Sequence, residues 1–241
     1  MAARPIPGPH KLSPETLVRA YAAGVFPMSE ARDDPTIFWV DPEMRGVIPL
    51  DGLHISKSLR KVLRRGAFTI TADQAFHRVI EACAQPRPGH DDKEGDPGGT
   101  WINDEIIRAY VEMFELGLAH SIECWQDGEL VGGLYGISLR GAFMGESMFS
   151  TRTSASKVAL VHLVARLRLG GFALLDTQFI TEHLSTMGAV EISGWEYIER
   201  LQSALSIDGQ FPGGMTGNDP SDAELSSEIE SLFAQSLTHT S

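Results

Sequence analysis

The apolar positions of this chain follow two periods, one close to that of a helix and one close to that of a strand, and their alternation predicts a mixed α and β fold. Ser13-Pro14-Glu15 supplies a hydroxyl cap, a proline at the first helical position and an acid in the first turn, and Leu17, Tyr21 and Ala22 give the helix behind them its apolar face. Gly24 ends that helix, and residues 25–28 must be extended because of Pro27. Residues 37–40 and 46–50 read as short strands on either side of Asp41-Pro42-Glu43. A helix capped by Ser56 and stopped by Gly66 buries Leu59, Val62 and Leu63; a strand at 68–71 and a helix from Asp73 to Ala84 follow. Asn103-Asp104-Glu105 opens another helix that ends at Gly117.

From Ala119 the pattern becomes that of antiparallel strands: AHSIECW, a turn at Asp127-Gly128, LVGGLYGISL and a second turn at Arg140-Gly141. Gly132-Gly133 inside a strand predicts a bulge or the close approach of another backbone. A strand at 142–144, an apolar helix at 155–169 and a strand at 172–175 form a strand–helix–strand unit, followed by a short helix at 181–187, a strand at 190–192 and a helix at 195–205. Residues 85–100, QPRPGHDDKEGDPGGT, carry too little apolar surface to order themselves and are expected to form a mobile surface loop. The polar, acidic stretch beyond Leu205 is expected to be flexible. The expected division is 1–66, a small N-terminal domain; 67–205, a larger domain; and 206–241, the tail.

Composition narrows the class. With 241 residues, 42% of them hydrophobic, the chain can bury a substantial core. No run approaches the ~18–20 apolar residues that span a bilayer, and the N-terminal MAARPIPGPHKLSPET lacks a signal-peptide core, so a cytoplasmic protein without membrane contact is expected. Cys83 and Cys124 fit two reduced core thiols better than a bridge, and the histidines show no ligand spacing, so neither metal nor cofactor is expected.

The net charge of −12 opposes a polyanionic partner only until its distribution is considered. Beyond Arg200 lie Asp208, Asp219, Asp222, Glu224, Glu228 and Glu230 with no Lys or Arg. Lys57, Arg60, Lys61, Arg64 and Arg65, by contrast, fall at i, i+3, i+4, i+7 and i+8 on one helix face, with no acid from His54 to Phe68. A solvated face normally mixes signs, so this stripe suggests a nearby phosphate backbone, with an ordinary exposed helix as the other reading.

Candidate chemistry gathers at two strand ends. Glu146 follows the strand at 142–144, and Asp176 and Gln178 close the strand at 172–175 on one face, because side chains alternate along a strand. Ligands of open α/β sheets bind beyond strand ends, so these three side chains line a pocket or else serve as caps and turn residues. Trp101, beside the 85–100 segment and a helix start, is a site candidate, whereas Trp39 beside a turn fits the core better.

The segments YAAGVFPM, FWVDPEMRGVIPL, HISKSLRK, TWI, GLAHSIECW, LVGGLYGI, GESMFS, ASKVAL and DTQ occur in this order over residues 10–200. Together they resemble the bacterial leucyl/phenylalanyl-tRNA–protein transferases, with GESMFS and DTQ the most specific. The resemblance implies a monomeric, cofactor-free leucyltransferase. Such an enzyme moves Leu or Phe from leucyl-tRNA or phenylalanyl-tRNA onto proteins with N-terminal Arg or Lys, which marks them for degradation. It implies an α+β fold, a small N-terminal α/β domain plus a larger GNAT-like acyltransferase domain. FSTRTSASK stands where acyl-CoA-using GNAT enzymes carry a glycine-rich pyrophosphate loop, and its lack of glycines favours a different acyl donor.

Carried over by position, the resemblance implies that Asp176 and Gln178 act at the reacting amine and that Glu146 and Trp101 hold the substrates. Trp39 would meet the donor's terminal adenosine, and Phe143, Leu160, Leu163 and Leu175 would shape the pocket for the Leu or Phe side chain. Relatives often read Trp-Trp at Phe38-Trp39 and DCQ at DTQ; the second departure leaves Asp176 and Gln178 intact. The reaction is ester aminolysis, and an α-amine of pKa near ~7.7–8.0 needs positioning more than a strong base. Gln178 is therefore expected to accept a hydrogen bond from the amine while Asp176 orients it. The basic stripe is the candidate for the tRNA acceptor stem. An acyl-CoA N-acyltransferase and a non-catalytic adaptor for basic N-termini are the alternatives.

Overall fold

Two sheets of unequal size carry the chain in a computed structural model, which describes residues 6–7, 11–86, 100–213 and 217–238. The small sheet holds β1 (Ile6–Pro7), β2 (Phe26–Met28) and β3 (Phe38–Val40) in the order β1-β3-β2, with helix α1 (Pro14–Ala22) between β1 and β2. Ser13 caps α1 by accepting from the Thr16 N–H, as its residue type dictates. Next in the chain come β4 (Met44–Val47), α2 (Lys57–Arg64), β5 (Thr69–Ala72), α3 (Phe76–Cys83) and α4 (Asp104–Glu115). The long meander β6 (Ala119–Gln126), β7 (Glu129–Leu139) and β8 (Ala142–Ser150) leads into α5 (Ala155–Leu169) and β9 (Leu174–Gln178). The chain closes with α6 (Glu182–Ser185), β10 (Val190–Ser193), α7 (Gly194–Leu205) and α8 (Asp222–Thr238).

The large sheet runs β10-β4-β9-β8-β7-β6-β5, antiparallel throughout except for the parallel pair β8–β9 that α5 connects. Side chains alternate between its faces, and so does the core. Phe143, Leu175, Ile122 and Leu134 face one cluster with α5, α2 and α8, whereas Ala142, Met144, Leu174 and Tyr135 face another with α1, α3, α4 and α7. Cys124 belongs to the first cluster and Cys83 to the second. Gly132 shows the close approach its sequence context predicts: a Cβ there would lie 2.5 Å from that of Ala155, so the start of α5 rests directly on β7.

Several boundaries differ from the sequence expectation. β4 begins at Met44 rather than residue 46 and sits inside the large sheet, hydrogen-bonded between β10 and β9, so part of the segment assigned to the N-terminal domain builds the larger unit. Asp73 does not cap α3, whose N-cap is Ala75; its carboxylate instead accepts from the Ser121 N–H at 2.9 Å and meets His120 Nδ1 at 2.8 Å. Residues 87–99 of the expected loop lie outside the described residues. In the segment where a flexible tail is expected the chain forms α8, in which Leu225, Ile229, Leu232 and Phe233 recur at helical spacing and are buried against α5. The tail's acids pair with arginines of the body: Asp219 with Arg166 at 2.6 Å, Glu228 with Arg168 at 2.5 Å and Glu230 with Arg64 at 3.1 Å.

Candidate active site

β8 and β9 pair only through Ala142–Met144 and Leu174–Asp176, yet β8 continues to Ser150 and β9 to Gln178. Glu146 stands just past that parting, on the face shared by α1 and α4. Its Oε1 accepts from the Tyr21 hydroxyl at 2.7 Å and from Gln178 Nε2 at 2.9 Å, and its Oε2 accepts from the Tyr110 hydroxyl at 3.0 Å. The two tyrosine oxygens also meet one another, so two phenol protons are shared among three contacts. Burial pushes the Glu146 carboxyl up to about 7, the two phenol donors pull it down, the charge of Asp176 raises it and that of Arg45 lowers it. Burial and then the Glu146 charge raise the phenols of Tyr21 and Tyr110 well above their ordinary value, so both remain donors.

Asp176 lies behind this network with no exposure. Its Oδ1 accepts from Arg45 Nε at 2.9 Å and from the Gln178 N–H at 2.8 Å, while its Oδ2 accepts from Arg45 Nη2 at 2.6 Å and the Tyr197 hydroxyl at 3.0 Å. Arg45 is 1% exposed, donates through Nη1 to the Gly24 carbonyl at 2.9 Å, and lies over the rings of Phe26 and Tyr197 at 4.6 and 4.2 Å. Burial alone would lower its pKa; the charge and hydrogen bonds of Asp176 outweigh this and raise it, so the guanidinium stays charged. Asp176 is thus neutralised and filled with donors, and its geometry suits holding Gln178 rather than meeting substrate.

Gln178 has φ of 58°, in the left-handed region that a non-glycine residue seldom enters. The Phe179 N–H donates to the Thr177 carbonyl at 2.7 Å, closing a three-residue turn around it. Such strain persists where the surroundings enforce it, and here Asp176 holds the backbone while Glu146 holds the side chain. Because Glu146 takes the amide Nε2, the carbonyl Oε1 of Gln178 is left as the acceptor.

The fold therefore brings together Glu146, Asp176 and Gln178, three of the sequence-predicted residues. Trp39 and Trp101 are half-buried against the same cluster that holds Tyr21 and Tyr110. Phe143, Leu160, Leu163 and Leu175 lie on the opposite face of the sheet, at most 2% exposed, in a closed core rather than an open pocket. Phe143 stacks on Phe211 at 5.7 Å, which carries the chain toward α8.

The basic stripe is on α2, distant in fold from Glu146, and lines a shallow depression of about 350 Å³ formed by Lys57, Arg60, Lys61, Arg64 and Arg65. It is less unrelieved than the sequence suggests: Arg64 pairs with Glu230, and Arg60 and Arg64 lie 5.5 and 5.2 Å from the Phe233 ring. Lys57, Lys61 and Arg65 are exposed and make no ion pair among the described residues.

The family model for leucyl/phenylalanyl-tRNA protein transferase matches residues 47–202, and that for its N-terminal domain matches residues 10–43. This chain belongs to the leucyl/phenylalanyl-tRNA protein transferase family. The transferase of that name from Rhodospirillum rubrum is 58% identical over 200 residues, covering 83% of this chain and 91% of the relative. Those of Paramagnetospirillum magneticum and Maricaulis maris are 57% and 54% identical, covering 85% and 84% of this chain and 95% and 92% of their own. The solved structure of L-PGS from Bacillus licheniformis matches 96% of this chain and 72% of its own at 12% identity, with a TM-score of 0.38, too low to speak for the fold.

As a member of this family the chain is an aminoacyltransferase, carrying an aminoacyl group from tRNA to a protein N-terminus. Among the described residues of this transferase, no helix is long and apolar enough to cross a membrane. Arg45, Tyr21, Tyr110 and Tyr197 belong to the hydrogen-bonded network of the candidate site and were missed by sequence reasoning. Their partners lie 131, 125, 36 and 21 residues away, so no local spacing marks them. The one available signal was a lone cation, Arg45, in the DPEMRGVIPL segment between strand-forming residues.

Proposed function

We propose that this transferase moves leucine, phenylalanine and, less well, methionine from charged tRNA to proteins beginning with Arg or Lys, with Gln178 holding the attacking amine. The observation that carries this reading is the fixed aim of the Gln178 amide: Nε2 is tied to Glu146 at 2.9 Å, which leaves Oε1 to accept from an N–H. An α-amine has a pKa near ~7.7–8.0, so a useful neutral fraction exists at cellular pH, and placing it against the ester carbonyl supplies most of the acceleration. The new C–N bond forms as the ribose C–O bond breaks, and the proton lost by the amine balances the one gained by the ribose oxygen. Glu146, with no cation among its direct hydrogen-bond donors in the described residues, supplies the negative potential that an arriving ammonium group needs. Asp176 serves this step by orienting Gln178.

The parting of β8 from β9 beyond Met144 would be the place where the donor enters. Phe143, Leu160, Leu163 and Leu175 would form the floor against which the donor's apolar side chain rests, parting by side-chain rotation to admit it. Shape alone discriminates by roughly 1–3 kcal/mol per methylene, which is why methionine is a minor donor. Trp39 would stack on the terminal adenosine and Trp101 would help hold the substrates. Lys57, Arg60, Lys61, Arg64 and Arg65 would track the acceptor-stem phosphates. A parallel strand pair bridged by one helix within an antiparallel sheet supports a GNAT-like acyltransferase architecture. The protein would work as a monomer in the cytoplasm, where charged tRNA is found.

The test is transfer of labelled leucine from charged tRNA to peptides that begin with Arg, Lys or Ala. Transfer to Arg and Lys but not Ala is expected. Transfer from an acyl-CoA, or peptide binding without turnover, would replace this reading.

A further inference from the structure

We infer that Arg45 and Gly46, neighbours on β4, are positioning residues that set the aim of the Gln178 amide, an inference that rests on Gln178 acting at the attacking amine. Gln178 cannot hold its own conformation: φ of 58° is costly for a side chain with a Cβ, and only a three-residue turn closes around it. Two features of β4 compensate. Arg45 grips both oxygens of Asp176, at 2.9 and 2.6 Å, which leaves Oδ1 aimed at the Gln178 N–H. Arg45 is itself fixed by the Gly24 carbonyl, Tyr197 and the Phe26 ring, so the carboxylate has no second position available to it.

Gly46 does the complementary work of making room. It is the register partner of Gln178, and a Cβ on it would lie 2.8 Å from Thr177 Oγ1 and 2.9 and 3.0 Å from the carbonyl carbon and oxygen of Phe179. Two of those three contacts are backbone atoms of the turn itself, so any side chain at position 46 must push the turn. The ladder between β4 and β9 shifts register at this point, which marks the place where the strand yields to the turn. A lysine at position 45 would keep the charge but replace a planar two-point grip by a single rotating one.

The experiment measures single-turnover transfer and KM for charged tRNA with Arg45→Lys, Gly46→Ala and Gln178→Ala, alone and with Arg45→Lys added to Gln178→Ala, at temperatures where each remains folded. Arg45→Lys and Gly46→Ala are expected to lower the transfer rate by about 10-fold or more while KM stays within about twofold, because a small misplacement is felt in the transition state. In the Gln178→Ala background, Arg45→Lys should cost less than about twofold further, as there is no amide left to aim. An equal loss in both backgrounds, or a folded Arg45→Lys with an unchanged rate, overturns the inference. Should Arg45→Lys fail to fold, Gly46→Ala, alone and added to Gln178→Ala, decides in the same way. Full turnover by Gln178→Ala alone would instead remove the assignment of Gln178, a separate and distinguishable result.

Discussion

Gln178 Nε2 donates to Glu146 Oε1 at 2.9 Å across the gap where β8 and β9 have ceased to pair. One hydrogen bond thus bridges the parted strands and leaves Oε1 as the free acceptor end of the amide. The bond is maintained by Tyr21 and Tyr110, which donate to the same carboxylate and favour its ionised form.

Glu146 should make stability fall as pH rises. Its folded-state pKa of about 7 lies above the ordinary 4.5, so the folded protein binds more protons than the unfolded one between those values. Between pH 4.5 and 7 the parent should lose about 3 kcal/mol from this group, and Glu146→Gln should abolish that slope. Denaturant unfolding of both at pH 5 and pH 7.5 checks it; parallel changes in the two proteins would contradict it.

Phe233→Ala should destabilise the protein by about 3–5 kcal/mol, because Phe233 is 3% exposed within the cluster that joins α8 to α5. A loss below about 1 kcal/mol would mean that α8 is not docked in solution. Chemical denaturation with a single-transition fit provides the number.

Most of the fold was legible because its signals are local. Caps at Ser13, Ser56, Asn103 and Thr181 each accept from the N–H three residues on, as their residue types dictate. α8 was missed because its acids and serines dominate the composition, although Leu225, Ile229, Leu232 and Phe233 carry the helical period. Within the site, Glu146, Asp176 and Gln178 were visible as polar groups, although Glu146 lies inside β8, which runs on to Ser150, rather than at the strand end the sequence predicts. Arg45 and the tyrosines were not, since a buried cation or phenol is recognised by its partner, and the partners come from distant elements. The apolar residues are a different case: the resemblance implies that Phe143 and Leu175 shape the substrate pocket, and alternation along the strands puts them on the face opposite Glu146.

Charge reversal at Lys57, Lys61 and Arg65 should raise KM for charged tRNA and flatten its dependence on salt, by about one logarithmic unit of slope for each phosphate that is no longer neutralised. These three are preferable to Arg64, which Glu230 already engages. The transfer rate at saturating tRNA should stay within about twofold of the parent. A KM independent of all three would take α2 out of the donor site.

The most direct measurement is single-turnover transfer from leucyl-tRNA to an Arg-initiated peptide by Gln178→Ala at saturating concentrations of both substrates. Loss of one preorganised hydrogen-bond partner should slow transfer by about 10²-fold or more with little change in either KM. A rate equal to that of the parent would show that the Gln178 amide does not hold the attacking amine.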